Sequence, residues 1–127
     1  LGSRGLGDVY KRQITDSMRA GCMPDGEYDL GGQTVYVKDN YARIASGSLA
    51  GSVLTLNKAV YNFKENTNLN IYEAINLASL NPAKSIKVDD KKGSLEIGKD
   101  ADIAIFNENL DCLATIVEGD TIYNKIN

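Results

Sequence analysis

Three short β-rich runs, residues 103–106, 113–117 and 121–123, close the sequence and limit what it can fold into more than any other feature. Turn-forming stretches separate them, residues 107–111 after the first and Glu118-Gly119-Asp120 after the second. A sheet of about three short strands is marginal unless it packs on other structure or pairs with strands supplied elsewhere. The sequence therefore implies an incomplete sheet that needs a complement.

Upstream, QTVYVK at residues 33–38 sets Val35 and Val37 on one face and Thr34 and Tyr36 on the other. Asp39-Asn40 offers a turn before residues 41–44, which predicts a short hairpin. Residues 46–52, SGSLAGS, read as a small-residue loop whose backbone can approach a ligand at Gly47, Ala50 and Gly51, or as a plain connector. Leu54, Leu56, Ala59, Val60 and Phe63 recur at helical spacing and predict a helix over 53–65, with Asn57, Lys58 and Lys64 toward water. Asn70 with Glu73 three positions on is a capping-box pattern for a second helix over 70–79. Asn81-Pro82 predicts a third, short helix over 82–86 with Asn81 as its cap.

Thr15-Asp16 is the one place where a single carboxylate is set up for chemistry. It follows a short polar lead-in and precedes a segment containing Gly21, Pro24, Gly26, Gly31 and Gly32, the pattern of a functional loop leaving a buried strand. Asp16 followed by Ser17, Met18, Arg19 and Ala20 equally fits a helix N-cap. From the residues alone both readings stand, and the cap is the more ordinary.

Composition removes several classes. At 127 residues with 43% hydrophobic and 24% charged content, the chain is long enough for one domain with a real core. A net charge of -3 argues against nucleic acid or an anionic membrane as partner, since both require clustered Lys and Arg. No apolar run approaches the roughly 20 residues that span a bilayer. Cys22 and Cys112 are too few and too far apart for a disulfide framework or a zinc motif, and free thiols suit a reducing cytoplasm. The chain has no histidine, so it lacks the usual imidazole metal ligand and general base. Residues 1–13, LGSRGLGDVYKRQ, have neither helical nor strand period and read as a translated non-native leader. A phosphate loop there would need a preceding apolar strand and a closing Lys-Ser or Lys-Thr pair, and neither is present.

GSLEIGKDAD at residues 93–102, followed by an apolar strand and preceded by a helix pair ending in Asn81-Pro82-Ala83, resembles the C-terminal signature of the metal-dependent amidohydrolases. MPDGEYDLGG at residues 23–32 after Thr15-Asp16, together with LAGS at residues 49–52 and Leu54-Thr55, is similar specifically to the N-acetylglucosamine-6-phosphate deacetylase family. The resemblance runs from Ile14 to about Tyr123. It implies an α/β fold: the C-terminal part of a (β/α)8 barrel over residues 14–90, comprising the last strand, a hairpin and outer helices, with part of a small β-sandwich over 91–127. Ile14 would close the eighth strand and leave Asp16 at its C-terminal end, where barrel enzymes assemble their sites.

The same resemblance implies hydrolysis of an acetylated amino-sugar phosphate by water activated at a divalent metal, zinc or iron. Asp16 matches the catalytic aspartate that takes the proton from water and returns it to the departing nitrogen. Leu49, Ala50 and Gly51 match the loop that meets the sugar. The metal ligands, a glutamate and histidines, and the phosphate-binding groups have no counterpart here, so the chain is expected to be inactive alone. The complete enzyme is expected to be a cytoplasmic homodimer. Two alternatives remain open: another amidohydrolase, related to adenine deaminase or dihydroorotase, which shares the 93–102 segment, and a non-catalytic binding or assembly module, which the missing histidine motivates.

Overall fold

The computed structural model describes residues 11–126. The chain divides into two compact units, residues 14–59 and, from residue 60 onward, the remainder together with residues 11–13.

The first unit is a four-stranded antiparallel sheet in sequential order: β1 (Gly26–Leu30), β2 (Gln33–Lys38), β3 (Tyr41–Arg43) and β4 (Leu49–Gly51). The expected hairpin is its centre. Asp39 and Asn40, with φ of 52° and 64°, form the two-residue turn that joins β2 to β3, a geometry that Asn and Asp tolerate better than other side chains. The alternation in β2 buries Val35 and Val37, which pack with Ala20 and Ala42 as the core of this unit. Met18, Tyr28, Ile44, Ala50 and Val53 pack around them.

Two stretches differ from expectation. Residues 26–30, placed within a loop by the glycines and proline around them, pair with β2 in full register from Gly26↔Val37 to Leu30↔Gln33. Residues 49–51, read as part of a loop, pair with β3 as Ala42↔Gly51 and Arg43↔Leu49 across an irregularity. Small side chains carry little β signal of their own, so here the tertiary pairing decides. The expected barrel strand through Ile14 is not formed; only a single parallel bridge, Ser17↔Ser52, occurs there. A parallel strand needs a neighbouring strand to pair with along its length, and both sheets present are antiparallel.

The first helix, α1 (Leu56–Glu65), crosses from one unit to the other, starts three residues later than predicted, and buries Ala59 and Val60 while Leu56 stays exposed. In the second unit α2 (Ile71–Asn76) opens on the predicted capping box. The Glu73 N–H donates to Asn70 Oδ1 at 3.0 Å, and the Asn70 N–H donates to Glu73 Oε2 at 2.8 Å. The third helix, α3 (Leu80–Ser85), begins one residue before Asn81, and Ser79 makes no side-chain cap bond. Asn81 lies inside the helix, 8% exposed, and its Nδ2 donates to the Lys11 carbonyl at 2.8 Å. The Gln13 N–H likewise donates to the Leu77 carbonyl at 2.8 Å. The expectation of a non-native leader covers residues 1–13; residues 1–10 lie outside the described residues, whereas Lys11 and Gln13 make these bonds.

Strands β5 (Ile103–Phe106), β6 (Cys112–Val117) and β7 (Asp120–Asn124) form a three-stranded antiparallel sheet in that order, close to the predicted runs. Val60, Ala74 and Leu110 form the buried cluster of this unit, with Tyr61, Ile71 and Ala78 against it. The 93–102 segment is fixed by charge. Lys92 Nζ stands 2.9 Å from Asp100 and 2.5 Å from Asp102, and Asp102 Oδ1 accepts the Glu118 N–H at 2.9 Å. The stretch that carries the superfamily resemblance in sequence is thus a structural clasp onto the β6–β7 turn. No helix among the described residues is long and apolar enough to cross a membrane.

Candidate functional site

Asp16 lies on the exposed segment between residue 14 and the bridge at Ser17, with a backbone φ of 49°. It caps no helix, for the first helix of the described residues begins at Leu56. Left-handed backbone at a non-glycine residue costs about 1–2 kcal/mol and persists only where its surroundings enforce it. Aspartate is among the side chains that tolerate it best.

The surroundings in question are Ser52. Its hydroxyl donates to the Thr15 carbonyl at 2.8 Å and accepts the Leu54 N–H at 3.1 Å. Its carbonyl accepts the Met18 N–H at 2.8 Å and the Ser17 hydroxyl at 3.3 Å. The Ser17 N–H turns back to Thr15 Oγ1 at 3.3 Å. The residues on either side of Asp16 are therefore tied to one serine, and the carboxylate is left in the open.

Ser52 directly follows β4, so the structure brings together the two sets of residues singled out in sequence. Leu49 is 66% exposed, Ala50 is half-buried against the sheet core, and Gly51 faces Met18. A Cβ on Gly51 would stand 3.3 Å from Met18 Sδ and 3.7 Å from Leu30 Cδ2, so the absence of a side chain allows that approach. As the terminal strand of its sheet, β4 has no strand partner on the side away from β3 among the described residues.

Ser52 itself had no role in the sequence reading beyond its place in LAGS. Its partners Thr15 and Ser17 lie 37 and 35 positions away, and no local pattern signals them.

A divalent metal does not fit the residues present. Among the described residues no group of three or more His, Cys, Asp and Glu side chains converges, and the chain contains no histidine. Cys22 is exposed and Cys112 half-buried, both as free thiols.

Known proteins resemble this chain over nearly all of its length. It is 47% identical over 106 residues to N-acetylglucosamine-6-phosphate deacetylase of Lysinibacillus sphaericus, a match covering 84% of this chain and 27% of that protein. The chain thus spans about a quarter of the length of that relative. Among solved structures, N-acetylglucosamine-6-phosphate deacetylase of Thermotoga maritima superposes with a TM-score of 0.78 at 34% identity, over 93% of this chain and 32% of that one. An Asp-to-Ala variant of the Mycobacterium smegmatis enzyme, solved in complex with N-acetyl-D-glucosamine-6-phosphate, superposes with a TM-score of 0.75 at 28% identity, over 91% of this chain and 31% of that one. The amidohydrolase family model matches residues 16–122, from Asp16 into the last strand, and the chain belongs to the amidohydrolase family.

Proposed function

We propose that this chain is the C-terminal part of an N-acetylglucosamine-6-phosphate deacetylase, which hydrolyses N-acetyl-D-glucosamine 6-phosphate to D-glucosamine 6-phosphate and acetate. One observation carries the reading. The bonds between Ser52 and Thr15 and Met18 tie the segment that carries an exposed carboxylate to the end of the terminal strand Leu49–Gly51. The named relatives and the sugar phosphate bound in one of them support the choice of substrate.

In this reading Asp16 accepts a proton from water as the water oxygen bonds to the amide carbonyl carbon. The tetrahedral adduct then collapses, the C–N bond breaks, and the same carboxyl group returns its proton to nitrogen, which leaves as a neutral amine. One carboxylate acts first as base and then as acid. Leu49 offers an apolar surface to the acetyl methyl, and the backbone of Ala50 and Gly51 meets the sugar. The family implies a divalent metal. The described residues do not assemble its donors, and the steps above use only Asp16.

The same reading takes residues 14–90 as the end of a (β/α)8 barrel and residues 91–127 as strands of a small sandwich, in a cytoplasmic homodimer. The high exposure of Ile14, Ile86, Leu95 and Ile97 supports the placement within a larger fold, since such surfaces suit burial against the remainder of a larger protein. The test is acetate release from N-acetyl-D-glucosamine 6-phosphate by the complete enzyme that carries this chain, beside its 4-epimer, a purine and a cyclic amide. Turnover of the glucosamine derivative is expected. Turnover of the purine or the cyclic amide without it would overturn the reading.

A further inference from the structure

We propose that Ser52 is a positioning residue for the Asp16 carboxylate, acting through hydrogen bonds to Thr15 and Met18; the inference rests on the catalytic role given to Asp16 above. Asp16 sits at a φ of 49°, which an L-residue adopts at a cost, and its own side chain is exposed. Its orientation is thus set by the backbone on both sides, and Ser52 holds both sides: the Thr15 carbonyl through its hydroxyl at 2.8 Å and the Met18 N–H through its carbonyl at 2.8 Å.

The hydroxyl is directed. Because Ser52 Oγ already accepts the Leu54 N–H at 3.1 Å, its single proton is free to point at Thr15. Ser52 also directly follows the strand formed by Leu49, Ala50 and Gly51. One residue therefore registers the proton-transfer group against the surface that meets the sugar. A proton relay requires heavy-atom approach within about 3 Å, and a displacement of about 1 Å is enough to cost a large factor in rate. The binding surface tolerates such a shift better than the chemistry does.

The experiment uses the complete enzyme carrying this chain and a double-mutant cycle of Ser52→Ala with Asp16→Asn, with Ser52→Thr as the conservative variant. Ser52→Ala is expected to lower kcat about tenfold or more while KM stays within about twofold, and Ser52→Thr, which keeps the hydroxyl, to recover most of kcat. In the Asp16→Asn background Ser52→Ala is expected to add little further loss, because it acts through the group already removed.

Three results would overturn the inference while the catalytic reading of Asp16 stands: wild-type kcat in Ser52→Ala, a Ser52→Thr variant as slow as Ser52→Ala, or full additivity with Asp16→Asn. A wild-type enzyme that releases no acetate, or an Asp16→Asn variant with normal kcat, overturns that reading and the inference with it.

Discussion

Lys92 Nζ lies 2.5 Å from Oδ2 of Asp102, and the same ammonium stands 2.9 Å from Asp100. The hydrogen bond from Lys92, followed by that from the Glu118 N–H, holds the Asp102 carboxyl below its ordinary value of 3.8. The two carboxylates, Asp100 first, raise Lys92 above its ordinary 10.5. The depressed carboxyl contributes stability above the unfolded value of 3.8, and this is lost as pH falls through the lower folded value. The raised ammonium contributes stability below 10.5, and this is lost as pH rises through the higher folded value. Lys92→Met is therefore expected to lower the melting temperature of the chain near neutral pH and to lose most of that effect in strong acid. Added salt shrinks the difference as well, since the groups are partly exposed. Thermal melts of both chains at acidic and neutral pH check it; an equal difference at both would contradict it.

Gly93 and Gly98 form a matched pair for separating strain from collision. Both have a left-handed backbone, with φ of 91° and 94°. A Cβ at Gly93 would stand 2.8 Å from the Ala83 Cβ and 3.1 Å from the Leu80 Cα, whereas one at Gly98 would meet nothing within 4 Å. Gly98→Ala is expected to cost about 1 kcal/mol from backbone strain alone. Gly93→Ala adds a collision with the buried Ala83 of α3 and is expected to cost about 1–3 kcal/mol more. Denaturant unfolding of the two variants measures the difference, and equal losses would contradict the packing assigned to Gly93.

The Asn70–Glu73 capping box makes a local prediction. Asn70→Ala is expected to cost about 1 kcal/mol, expressed as faster amide hydrogen exchange in α2, with a smaller effect for Glu73→Gln, which keeps an acceptor for the Asn70 N–H. Unchanged exchange in α2 would contradict it.

That box was legible because its chemistry lies within four residues, and the alternation of Val35 and Val37 was legible for the same reason. Asn81 was misread as a cap because Asn before Pro is a local signal, while its partner, the Lys11 carbonyl, lies 70 positions away. Strand β4 was read as a loop because Leu-Ala-Gly has no pattern of its own and becomes a strand only by pairing with β3. The site divides in the same way. Asp16 and residues 49–51 were found by resemblance to a family, whereas Ser52, which joins them, acts through bonds of long sequence separation.

The central claim is that Asp16 carries the proton transfers of amide hydrolysis. Its most direct test is kcat for acetate release from N-acetyl-D-glucosamine 6-phosphate by the complete enzyme with Asp16→Asn. Asparagine keeps the size and the tolerance of the left-handed backbone but cannot take up or return the proton. The expected result is a fall in kcat of about 100-fold or more with KM little changed. A variant that releases acetate at the wild-type rate would contradict the claim.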